Sequence, residues 1–246
     1  SVFNVGAASY PAVGGALAML GWYYPFLLSF IAIPVGLLVL FSLKNPEPKM
    51  EEHLKKYLSN VWQSIKNRQV VGLSIATVVT FILFCGAYLT YLPILIERSF
   101  GASSLIIGLI LASMSLTIAL ASSQMGRLAR VYSERNLLKA AFILYALALV
   151  IIPFVPNLWA LLIPTLIFGI AHGISNPSRL TLLVGLAPIK HRAAFMSISA
   201  TVLQLGQTLG PLLMGAIFGI WGIGGPFYLG AGLSIVMFAL AVIMIK

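Results

Sequence analysis

The sequence predicts an all-α membrane protein, a bundle of transmembrane helices, and three observations carry that reading. Hydrophobic residues make up 60% of the 246 and charged residues only 8%, against roughly 25% charged in an average soluble chain. Mean hydropathy is +1.04, so lipid is the solvent for most of the chain. Eight apolar runs approach or exceed the roughly 20 residues that a helix needs to cross a hydrocarbon core. They lie near 2–20, 23–43, 71–96, 103–123, 137–155, 158–181, 194–219 and 225–245. None alternates with period two. Lipid offers no partner to a free backbone amide, so continuous runs of this kind must be helices rather than barrel strands.

The connectors confirm the count by their charge. The stretch 44–70 carries Lys44, Lys49, Lys55, Lys56, Lys66 and Arg68; the connector after the fourth span carries Arg127, Arg130, Arg135 and Lys139. Arg179, Lys190 and Arg192 follow the sixth span, and Lys246 ends on the same side, leaving only Arg98 opposite. Such a split places the basic side in the cytoplasm of a multi-pass cell-membrane protein. The formal charge of +10 is thus a topology signal, and nucleic acid is not an expected partner. Trp22, Trp159 and Trp221 occupy the opposite turns, where interfacial aromatics collect. Within 44–70, Met50, Leu54, Tyr57, Leu58, Val61, Trp62 and Ile65 recur at helical spacing between lysines, which predicts an amphipathic helix on the inner membrane surface, with a partner-binding helix as the alternative.

The first and seventh spans repeat each other. Gly6, Pro11, Gly15 and Ala16 match Gly206, Pro211, Gly215 and Ala216, and the likeness runs on from Trp22, Pro25 and Phe26 to Trp221, Pro226 and Phe227. Spans one and two then close one six-helix unit and spans three to eight form the next, a known plan of secondary transporters. This divides the chain into 1–43, the last two helices of a first half; 44–70, a cytoplasmic linker; and 71–246, the second half.

Gly6–Leu17, GAASYPAVGGAL, resembles the antiporter motif of the fifth helix in the drug:proton antiporter branch of the major facilitator superfamily, with Tyr10 where a glycine usually stands. Gly126–Lys139, GRLARVYSERNLLK, resembles the second copy of that superfamily's cytoplasmic signature, with Arg130 replacing its acid and Ser133 its second glycine. YLPILIERSFGAS and GQTLGPLLMG are similar to its seventh and eleventh helices. The resemblance implies a superfamily-like helical bundle in which these are the last eight of twelve helices. It also implies that the seventh, eighth, tenth and eleventh helices line the pathway.

The chemistry available narrows the function. All five acids are glutamates in connectors (Glu47, Glu51, Glu52, Glu97 and Glu134), and the single cysteine is Cys85. No paired-acid site, oxygen-rich metal site or cysteine cluster follows, so neither an enzyme nor a cofactor is expected. Polar groups inside a bilayer tend to face protein or water. His172, Ser175, Asn176 and Arg179 share one face of the sixth span; Ser197, Thr201, Gln204 and Thr208 share one face of the seventh, with Gln207 nearby; Thr77, Thr80, Phe84, Tyr88 and Tyr91 form a stripe on the third. The fifth span offers only Tyr145, and the eighth Tyr228 and Ser234. Spans three, six and seven are therefore expected to border a cavity, and five and eight to pack as scaffold. Tyr88, Tyr91, His172, Asn176, Gln204 and Gln207 are the candidate substrate-binding residues. For His172, hydrogen-bonded packing is expected ahead of proton carrying; helix-joining hydrogen bonds remain the alternative for Asn176 and Gln204, and interfacial placement the alternative to anion binding for Arg179. Small serines in the fourth span, with Gly206 and Gly210, are expected to let helices approach closely.

The expected function is export of small apolar or drug-like compounds by a monomer working by alternating access, with the proton as coupling ion, largely from the resemblance. A small-metabolite carrier and a non-transporting ligand sensor remain alternatives. If protons are coupled, the carboxylate that carries them is expected outside residues 1–246, because no span here holds one.

Overall fold

The computed structural model describes residues 13–21, 23–27, 30, 32–42, 67–187 and 192–245. The expected surface helix of the 44–70 stretch, Trp22, and the Gly6, Tyr10 and Pro11 positions of the repeat lie outside the described residues. Among the described residues every regular element is helical.

Among the described residues, six helices are long and apolar enough to cross a membrane: Arg68–Phe100, Ser104–Ser123, Glu134–Phe154, Trp159–Leu186, Phe195–Trp221 and Gly225–Met244. They correspond to the expected third to eighth spans. The sequence explains their ends. Asn67 caps the third span by accepting from the Gln69 amide at 2.9 Å, so the helix begins at Arg68, three residues inside the expected connector. Gly101, at φ 60°, stops it in the left-handed region that a side chain disfavours. Ser133 caps the fifth span, and Gly222, at φ 68°, ends the seventh. Trp159 and Trp221 stand exposed at the turns that close the fifth-to-sixth and seventh-to-eighth pairs.

The sixth span packs against the fourth and fifth, the fifth against the eighth, and the eighth against the third and seventh, which also pack on each other. Small residues set these distances. A Cβ built on Gly86 of the third span would lie 2.7 Å from the Gly210 backbone, and one on Gly206 would lie 2.7 Å from the Val78 carbonyl. The third and seventh spans therefore touch backbone to backbone, where lipid supplies no hydrophobic drive and close contact must do the work. Around Gly86 the third span is wound as a π-helix, Ile82–Tyr91. Thr90 Oγ1 donates to the Cys85 carbonyl five residues back at 2.7 Å, in keeping with that wider turn.

The sixth span has its own break. Pro177 lies inside the helix and has no N–H for the Gly173 carbonyl. Ser122 of the fourth span supplies the missing donor at 3.0 Å. Gly173 also admits the fourth span, since its Cβ would meet the Ile118 carbonyl at 2.7 Å. The remaining fourth-span serines with a hydrogen bond, Ser113, Ser115 and Ser123, bond back to their own helix. Of the expected first and second spans, helix is described at 13–18, Tyr24–Leu27 and Ala32–Ser42. Gly15 meets the fourth span closely, its Cβ position lying 2.6 Å from the Ser104 carbonyl and 3.2 Å from Gly108 Cα.

Candidate functional site

One face of the sixth span meets two different environments. At mid-depth, His172 is enclosed. Its Nδ1 lies 2.9 Å from the Tyr145 hydroxyl of the fifth span, its ring stacks on Phe84 of the third at 4.3 Å between centroids, and Phe81 meets it edge-on. Tyr88, fully buried, stacks on Phe168 one turn away at 4.4 Å, and Tyr145 closes the group against Phe168. Tyr91 is buried further along the third span, beside Phe218 of the seventh. These aromatics form a packed box whose rings bury large area with geometric preference for stacked and edge-on pairs.

One to two turns on, around Pro177, the same face borders open space. A cavity of about 270 Å³ lies between the third, sixth and seventh spans at the end carrying the basic connectors. This is just under the roughly 300–1,000 Å³ typical of small-molecule pockets. Ser74 and Thr77 reach it from the third span, Asn176 and Arg179 from the sixth, and Phe195 and Ser199 from the seventh, with aliphatic side chains between them. Arg179 is only 4% exposed. Its Nη2 donates to Asn176 Oδ1 at 3.1 Å, its guanidinium lies 5.6 Å from the Phe81 ring centre, and its Nε is buried without a partner.

Of the six candidates, Asn176 lines this cavity, while Tyr88, Tyr91 and His172 lie in or beside the aromatic box. Gln204 is exposed on the seventh span with Thr201 and Thr208, and Gln207 is half-buried. The seventh span leaves most of its apolar stretch exposed, with 17% buried against 61% for the third. Tyr145, which holds His172, stands in the sequence as an isolated group on a scaffold helix, and its lone polar atom on that apolar helix is the one signal that marks it. The wall residues Ser74 and Ser199 carried no signal beyond their place on the right helices.

The family model described as Major Facilitator Superfamily matches this chain at residues 1–98 and again at 78–246. The chain belongs to the major facilitator superfamily. The superfamily relatives it matches are transporters rather than enzymes, and its six described membrane-length helices fit a multi-pass membrane protein. It is 24% identical over 224 residues to the class D tetracycline resistance protein of Salmonella ordonez, covering 89% of this chain and 56% of that protein. It is 25% identical over 232 residues to the multidrug resistance protein MdtG of Citrobacter koseri, covering 92% of this chain and 57% of that protein. The crystal structure of the human organic anion transporter MFSD10 shares the superfamily fold with it at a TM-score of 0.62 and 21% identity, over 85% of this chain and 46% of that one. This chain thus spans less than two thirds of the length of the curated relatives it matches.

Proposed function

We propose that this superfamily chain is the larger part of a proton-coupled exporter of small, mainly apolar organic compounds. Residues 71–246 would be one rocking half, 1–43 the end of the other and 44–70 the linker between them. The observation that carries the reading is the cavity between the third, sixth and seventh spans, an apolar space fringed by hydroxyl and amide groups. Such a lining suits a drug-like molecule, where apolar area binds and a few polar groups orient. The tetracycline and multidrug resistance proteins among its relatives support the same class. Asn176 meets the substrate from the cavity wall, and Gln204 and Gln207 meet it from the seventh span once the remaining helices stand opposite. Tyr88, Tyr91 and His172 form the packed floor beneath. Alternating access then exposes the cavity to each side in turn.

The five glutamates all lie at span ends or in connectors, so the proton-carrying carboxylate is assigned to a segment outside residues 1–246. The full-length transporter, reconstituted in liposomes under an imposed pH gradient, should accumulate tetracycline or ethidium against its concentration. Collapse of the gradient should abolish that accumulation. Gradients of either sign that leave a broad panel of lipophilic compounds evenly distributed would rule the reading out. Gradient-driven transport by residues 1–246 alone would rule out the placement of the carboxylate.

A further inference from the structure

Among the described residues, Arg179 is a buried cation without an anion. No carboxylate lines its cavity among the described residues, and the nearest charge relief it has is the neutral amide of Asn176 and the face of Phe81. A guanidinium has five donors in a planar fork, and Arg179 spends one on Asn176 while its buried Nε stays unpaired. Burying an ion in a low-dielectric site is costly unless an opposite charge and further hydrogen bonds arrive. Long basic side chains in membranes normally escape this cost by reaching water or headgroups. At 4% exposure Arg179 does not; it is held at the cavity wall, with Pro177 interrupting the helix's hydrogen-bond ladder two residues before it.

From this geometry we infer that Arg179 is the anion-recognising residue of the cavity, and that the preferred ligands are organic anions with an apolar body and one carboxylate or sulfonate. The fork matches a carboxylate bidentately, and Leu73, Leu183 and Phe195 on the same walls accept the apolar body. Asn176 orients the guanidinium by holding Nη2, and Ser199 offers its hydroxyl to the polar end. The inference deepens the transport reading and rests on it for the ligand's route, while binding itself is measured without any transport step.

The test uses full-length protein in phosphatidylcholine nanodiscs and compares 2-naphthoate with its neutral isostere 2-naphthamide by equilibrium binding. Naphthoate should bind at least tenfold more tightly. Arg179→Gln should bring the two affinities within about twofold of each other, and Arg179→Lys should keep part of the preference. Ser199→Glu, which leaves Arg179 in place and sets an acid on the facing wall, should remove the preference as well. This second variant decides the matter if Arg179→Gln does not fold. Equal binding of the two probes by the native protein overturns the inference. So does a naphthoate preference that survives both substitutions. Replacing part of the phosphatidylcholine by phosphatidylglycerol should change naphthoate affinity less than threefold; complete displacement would assign the cation to a lipid headgroup and overturn the soluble ligand. Selective binding without gradient-driven transport would instead count against the transport reading and leave the anion subsite standing.

Discussion

His172 and Arg179 stand two helical turns apart on the sixth span, and the chain treats them oppositely. Around His172 the third and fifth spans bring Phe84, Phe81 and Tyr145 into contact, and its Nδ1 finds a hydroxyl at 2.9 Å. Around Arg179 the neighbouring helices part, leaving about 270 Å³ of open space and a guanidinium nitrogen without a partner. The two residues carry the same signal in the sequence, a polar group on one helical face. What separates them is the crossing of the other spans. Gly86, Gly206 and Gly210 draw the third and seventh spans together at mid-depth, and toward the basic end the bulkier Phe195 and Leu203 line the space between them. A polar residue at a tight crossing becomes a structural tie, and the same kind of residue beside a gap becomes a binding surface.

The largest expected effect breaks the crossing itself. Gly86→Val would set a branched side chain where even a Cβ meets the Gly210 backbone at 2.7 Å. Ordinary overpacking costs about 1–3 kcal/mol, and here backbone rather than a flexible side chain must yield. The variant should lose most folded protein in a detergent thermal-stability assay. A melting temperature near that of the native chain would show that the helices are not locked at this point.

Next in size is a pair that sets the two environments against each other. Asn176→Leu should reduce transport by about tenfold, roughly 1.4 kcal/mol of lost recognition, with thermal stability almost unchanged. His172→Leu should do the reverse: about 1–3 kcal/mol of stability lost because Tyr145 is left buried without its partner, and near-native transport by the protein that remains folded. If His172→Leu is stable yet inactive, the box is part of the pathway and the comparison fails.

The smallest effect sharpens the description of the box. Tyr145→Phe keeps every ring contact and removes only the hydroxyl bonded to His172, so it should cost about 1 kcal/mol, within the range measured for hydrogen bonds between membrane helices. A loss several times larger, read by the same thermal assay, would mean that the hydroxyl serves more groups than His172. Ser234 of the eighth span offers no comparable handle, because it is fully buried and bonds its own helix at Gly230.

The hydropathy pattern determined the six described spans to within a few residues, because the energy of burying a 20-residue run in lipid exceeds any local preference that might shift its ends. In the structure Asn67, Ser133, Gly101 and Gly222 set several of those ends by ordinary cap and turn chemistry. The superfamily was legible too, from the repeat of the first and seventh spans and from the short motifs around Gly6 and Gly126. Helical periodicity further indicated which face of the third, sixth and seventh spans is polar. Only the tertiary structure decided what each polar side chain meets. Periodicity gives the direction of a side chain about its own axis and says nothing of the distance to the next helix. That distance depends on where glycines of separate spans coincide, as Gly86 does with Gly210, and on breaks such as the π-helix at Ile82–Tyr91 and Pro177. Those coincidences put Tyr88 and His172 into a packed box and Asn176 and Arg179 beside a cavity, although all four belong to faces the sequence marks as equally polar.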